Sequence, residues 1–196
     1  MKTLYLVRHG ETWLNVEHKN QGSWDAPLTE KGIKQAEAAR DYFKKEGIIF
    51  DHAYSSTSER ACDTLEIITE NRIPYTRRKD LKELNFGSFE GKDSFLNPPV
   101  PFGDAFVRYG GESDSDLQKR MLKALNEIME KEDHENVLVV SHGVSCAFVI
   151  RGTQATSELK HDGRRLGNCA IMKFLYFEGT FDLVEVINHN FKDLGI

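Results

Sequence analysis

The chain has 196 residues, 39% of them hydrophobic and 29% charged, a balance found in ordinary globular proteins and not in disordered, collagenous or membrane-spanning ones. With 26 basic against 31 acidic residues the net charge is −5, so no broad positive field invites a nucleic-acid backbone or an anionic bilayer, and neither is expected as a partner. An anionic substrate must instead meet a local group of Arg and His. Three cysteines, Cys62, Cys146 and Cys169, are odd in number and far apart, which predicts reduced packing residues rather than disulfides or a zinc site. No stretch approaches the ~18 apolar residues of a membrane span, and the first apolar run is too short for a signal-peptide core. A single cytoplasmic domain over residues 1–196 is expected.

In chain order, Thr3–Val7 is apolar and β-branched throughout, which predicts a strand covered on both faces. Thr29 predicts the N-cap of a helix that buries Ile33, Ala36, Ala39 and Phe43 and ends at Gly47. Ile48–Tyr54 reads as a strand. Ser55–Ser58 then offers N-cap candidates for a helix over about 59–69, placing Arg60 in a first helical turn just past a strand end. The segment Lys92–Asp116 is broken by Pro98-Pro99, Pro101 and Gly110-Gly111. Its Phe95, Phe102, Phe106 and Tyr109 read either as a small cluster under a long loop or as part of a lid over a site. Ser113-x-x-Asp116 opens a helix over about 114–131 that buries Leu117, Met121, Leu125 and Ile128. Asn136–Val140 is a second fully apolar strand, and Ala170–Phe177 with Phe181–Ile187 forms a hairpin about Glu178-Gly179. The alternation predicts an α/β layered fold with a mostly parallel sheet.

The two apolar strands end in matched tripeptides, Arg8-His9-Gly10 and Ser141-His142-Gly143. Ligands of open α/β sheets bind outside the carboxyl ends of the strands, so with Arg60 these residues make a cluster of imidazoles and guanidiniums suited to a tetrahedral dianion. Leu6-Val7-Arg8-His9-Gly10-Glu11-Thr12 with Asn15 resembles the signature of the histidine phosphatase superfamily, the phosphoglycerate-mutase-like family. The resemblance continues through Gln21-Gly22, Asp25–Gly32 with Gln35-Ala36, Ser55-Ser56 with Arg60-Ala61 and Thr64, Leu81–Gly87 with Glu90-Gly91, and Val140–Gly143. It is ordered and spans residues 4 to about 145.

That resemblance implies a three-layer α/β/α fold of the phosphoglycerate-mutase type, with residues 92–116 as a lid-like insertion. It implies His9 as the phosphoryl-accepting nucleophile, with Arg8, Arg60 and His142 on the phosphate oxygens and Glu83 as the acid/base. Thr12, Asn15, Gln21 and Gly22 match positions that line the substrate pocket. No metal or cofactor is implied: His18, His52, His134, His161 and His189 share no i, i+4 or H-x-H spacing, and guanidiniums do the charge neutralisation a metal would otherwise provide. The implied activity is hydrolysis of a small phosphorylated metabolite, with phosphoglycerate mutase and α-ribazole phosphatase as alternatives and, from another class, an inactive binding module on the same fold. Family mutases carry several Lys and Arg after the acid/base Glu. Here Lys92–Asp116 has Lys92 and Arg108 against Asp93, Asp104, Glu112, Asp114 and Asp116; Arg77, Arg78 and Lys79 before Glu83 could compensate but read more readily as a solvated face, so hydrolysis is expected.

Overall fold

The computed structural model describes residues 1–155, 166–189 and 191. Among them the strands β1 (Lys2–Arg8), β2 (His52–Ser56), β3 (Tyr75–Arg78), β4 (Asn136–Ser141), β5 (Gln154–Ala155), β6 (Ile171–Phe177) and β7 (Thr180–Ile187) form one sheet in the order β3-β2-β4-β1-β6-β7-β5. The first four are mutually parallel, and β6 runs antiparallel to β1 and β7. Helices α1 (Trp13–Val16), α2 (Glu30–Lys45), α3 (Glu59–Thr69), α4 (Asp114–Met129) and α5 (Gly143–Gly152) complete the described chain.

The continuous apolar runs are explained by two separate cores, one on each sheet face. Leu4 and Leu6 of β1, with Val137 and Val139 of β4, pack against Leu117, Met121 and Leu125 of α4 and Val149 of α5. Tyr5 and Val7, with Leu138 and Val140, pack instead against Ala36, Ala39 and Phe43 of α2 and Ala61 and Leu65 of α3. Alternate side chains point to opposite faces of a strand, so each residue of these strands is buried by one helix pair or the other. That is the three-layer arrangement.

Helix boundaries follow their caps. Thr29 accepts a hydrogen bond from Gly32 N and Ser113 from Asp116 N, and α3 covers Glu59–Thr69 as the sequence predicts. One core assignment is corrected: Ile33 is 42% exposed. A Cβ on Gly32 would meet Glu11 O at 2.1 Å and one on Gly10 would meet Gly32 O at 2.5 Å, so α2 rests directly on the backbone that follows β1. Its buried face is Gly32, Gln35, Ala36, Ala39 and Phe43, and Ile33 lies about 100° round the helix from Gly32. The expected strand Ile48–Tyr54 begins only at His52. Ile48 and Phe50 precede it in irregular chain, packing on the core of the α2/α3 face.

In the proline-broken segment, Phe102 and Phe106 are buried and stack edge-on with Phe86, while Phe89 meets Phe106 and Tyr109. Phe95 stays outside this cluster at 78% exposure. The segment is tied to the chain after α1: Asn20 and Asn97 exchange side-chain hydrogen bonds of 2.7 and 2.6 Å, and Lys19 pairs with Asp93 at 2.6 Å. Register then sets the site. Arg8 lies opposite Ser141 and Ser55 opposite Val140, so β1, β2 and β4 end side by side.

Candidate active site

A cavity of about 660 Å³ opens at these strand ends. Its wall includes the polar residues Arg8, His9, Asn15, Gln21, Glu83 and Asn168 and the apolar residues Phe86, Pro98, Val100, Phe102, Val144, Phe148 and Leu166. The residues 92–116 thus supply both the aromatic cluster and part of the cavity wall.

His9 is buried, and its Nδ1 lies 2.7 Å from Gly10 O. A carbonyl only accepts, so Nδ1 carries the proton and Nε2 keeps its lone pair. Burial first, then the positive charges of Arg60 and Arg8, push its pKa well below the ordinary histidine value. The ring is therefore a neutral base with its nucleophilic nitrogen defined by one hydrogen bond. Gly10 N in turn donates to Thr64 Oγ1, whose hydroxyl donates to Arg60 O, so α3 fixes the turn that orients the ring.

Arg60 and His142 adjoin His9, and their polar atoms are largely engaged within the protein. Arg60 is fully buried and donates to Trp24 O, Asp25 Oδ1, Gln21 O, Gly22 O and His142 Nδ1. Because a guanidinium only donates, His142 accepts at Nδ1 and carries its proton on Nε2, which donates to Ser56 Oγ at 2.7 Å. Burial and the Arg60 charge hold this ring neutral too, well below the usual histidine pKa. The two rings meet edge to face with centroids 5.2 Å apart.

Glu83 is held at the N-terminus of α5. Its Oε1 accepts from Leu84 N, Ser145 N and Ser145 Oγ, and its Oε2 from Val144 N. The carboxylate caps a helix whose N-cap residue, His142, offers no side-chain bond, and helix N-termini favour negative charge. Oε2, with a single donor, retains accepting capacity in the cavity.

Thr12 caps α1, accepting from Asn15 N while its hydroxyl donates to Gln21 Oε1 at 2.8 Å. Thr12 is thus internal and orients Gln21. The Gln21 Nε2 group is buried without a partner on a side chain that lines the cavity, an unspent donor. Gly22 is closely packed: a Cβ there would meet Leu84 O at 2.2 Å, and its N–H donates to Glu90 Oε2. The sequence reading missed Asn168, which donates to His9 O and Asn15 Oδ1 from the turn before β6. It lies far from every motif. The only available signal is Cys169 beside it, at φ +55, and left-handed backbone is not visible in composition. Arg78 is half-buried and pairs with Asp80 and Glu127. The three cysteines are free and buried.

The family model of the histidine phosphatase superfamily (branch 1) matches residues 4–189. A probable phosphoglycerate mutase GpmB of Proteus mirabilis is 33% identical over 186 residues, covering 90% of this chain and 86% of its own. Among solved structures, YhfR of Bacillus stearothermophilus superposes with a TM-score of 0.77 at 33% identity, covering 93% of this chain and 95% of that one. A phosphoserine phosphatase from Entamoeba histolytica in complex with 3-phosphoglyceric acid does so with a TM-score of 0.77 at 27% identity, covering 97% and 98%.

Proposed function

Since the chain belongs to the histidine phosphatase superfamily, we propose that it is a metal-independent phosphomonoester hydrolase working through phosphorylated His9. The observation that carries this reading is the ring itself: on the cavity wall, neutral, with Nδ1–H given to Gly10 O and Nε2 left as the nitrogen with a lone pair. In the first step Nε2 attacks phosphorus in line, the P–O bond to the alcohol breaks, and Glu83 gives its proton to the leaving oxygen. In the second, Glu83 takes a proton from water, the oxygen attacks phosphohistidine, and the P–N bond breaks to release phosphate. Arg8 and the Gln21 amide donate to the phosphoryl oxygens from the wall. Arg60 keeps His9 neutral and adds positive potential beside the phosphoryl group, while the neutral His142 ring holds Arg60 through Nδ1.

The apolar residues of the cavity wall support a substrate with an uncharged organic portion. Of the described cations on its wall, Lys19 is already paired with Asp93, whereas a mutase must hold a second anionic group during phosphoryl return. The test is a panel of phosphomonoesters, including phosphoserine, 3-phosphoglycerate, sugar phosphates, nucleotides and α-ribazole phosphate, followed for phosphate release and for exchange between 3- and 2-phosphoglycerate. Release without exchange, unaffected by chelators and reduced at least a thousandfold in His9→Ala, is the expected result. A His9→Ala protein as active as the parent overturns the reading, and rapid exchange with little release replaces hydrolysis by mutase chemistry.

A further inference from the structure

At the end of the sheet opposite the cavity, His52 at the start of β2 and Asp133-His134 just before β4 come together across two neighbouring strands. Their ligand-type atoms all lie within 4.8 Å of one another. His52 Nδ1 is 2.9 Å from Asp51 Oδ1, and its Nε2 is 3.2 Å from Asp133 Oδ2. A neutral imidazole has one N–H, so when Nδ1–H goes to Asp51 the Nε2 lone pair faces a carboxylate oxygen. Two electron-rich atoms at that spacing define a place for a cation. In a tetrahedral site with bonds of about 2.0–2.1 Å, neighbouring donors stand about 3.3 Å apart, close to the observed 3.2 Å.

We propose that His52, Asp133 and His134 form a binding site for a zinc-class divalent transition-metal ion, which clamps the turn before β4 to the start of β2. Outer partners of the kind such ligands need are already built in. Asp51 holds His52 through Oδ1 and, through Oδ2, accepts from Glu135 N and Asn136 N, so one carboxylate fixes both halves of the site. His134 Nε2 lies 2.7 Å from Tyr54 Oη, which accepts from Lys131 Nζ at 2.8 Å. On binding, the proton on His134 Nδ1 that now meets Asp133 at 2.8 Å gives way to the Nε2–H tautomer, donated to Tyr54. The two rings stack at 3.6 Å and 11°. His52, whose side chain is 32% exposed, keeps its Nδ1–H on Asp51 and brings Nε2 onto the ion. Two imidazoles and one carboxylate, with solvent in the fourth position, are a donor set that suits zinc over calcium or magnesium.

The test uses the tag-free, metal-stripped chain titrated with ZnCl₂ by calorimetry, and with Co²⁺ for its tetrahedral visible absorption. The expected result is one ion per chain and a melting temperature raised by roughly 5–10 °C at a hundredfold excess over Kd. His52→Gln and Asp133→Asn, both at exposed side chains, should lose binding at least tenfold while keeping the parent phosphatase rate and fold. The His9→Ala chain should bind as the parent does. Absence of binding by the parent, or undiminished binding by both exposed-ligand variants, overturns the proposal. Binding lost in His9→Ala overturns it as well, by placing the ion in the catalytic cavity.

Discussion

Glu83 is where the proposed chemistry is most open to test. Its four hydrogen bonds come from backbone and a hydroxyl, so it is a fixed group with one oxygen less committed than the other. If it protonates the leaving oxygen, its importance depends on how badly that oxygen needs a proton. Glu83→Gln is expected to lower kcat for alkyl phosphomonoesters about 10²–10⁴-fold and to affect p-nitrophenyl phosphate far less, since a phenolate leaves unaided. Equal losses on both, with an unchanged melting temperature, would remove the acid role. The sequence made Arg8, His9, Asn15, Gln21 and Glu83 legible because each stands in an ordered motif, and all five line the cavity. It named Arg60 and His142 without their partners and left Asn168 unseen. Motif spacing names the residues near a site, whereas who spends which donor on whom is settled only when Gln21–Asp25 folds around the Arg60 guanidinium.

That loop is held from both sides, which makes it the element on which the cavity depends. Arg60 takes its carbonyls, and the Glu90 carboxylate takes its N–H groups, accepting from Gly22, Ser23 and Trp24 and also from Phe86. Removing the carboxylate in Glu90→Ala leaves those donors without a protein acceptor. Each hydrogen bond to a charged group contributes about 1.5–3 kcal/mol and part is recovered from water, so a net loss of about 2–4 kcal/mol and a melting temperature lower by roughly 4–16 °C are expected. KM should rise with it because Gln21 loses its seat; a variant with parent stability and KM would show that the loop stands on Arg60 alone. Elements were legible where pattern and cap agreed, as in α2 and α4, and α3 follows its pattern although Ser58 gives it no side-chain cap hydrogen bond. Helix α1 has four residues, too few to show a period, and β3 carries Thr76, Arg77 and Arg78 on an outer strand, where nothing forces apolar residues. Helix α5 reads Gly-Val-Ser-Cys-Ala-Phe-Val-Ile, apolar on nearly every side, so it carries no stripe to separate it from the strand before it.

On the scale of the whole molecule, the net charge of −5 conceals a buried positive centre, and its cost is paid in proton affinity. His9 and His142 are fully enclosed beside Arg60, and both have pKa values pushed well below the ordinary one by burial and by that charge. In the unfolded chain each takes a proton near pH 6.5, while in the folded chain neither does. Below pH 6.5 the unfolded state therefore binds more protons, and stability, complete above that pH, falls as the pH drops toward the native values. Integrated from pH 6.5 to 5.5 each ring contributes about 1 kcal/mol, so the pair should lower the melting temperature by roughly 4–8 °C over that interval. His9→Asn should keep only the His142 share, about half the slope, and an unaltered slope would mean that His9 titrates alike in both states. The same enclosure has an opposite effect on catalysis. Because folded His9 stays unprotonated across this interval, its Nε2 lone pair remains available, and kcat/KM should not decline with a histidine titration between pH 6.5 and 5.5. Stability and activity are thus expected to part company on the acid side, and a loss of kcat/KM with a midpoint near 6.5 would show that the nucleophile is not the buried ring.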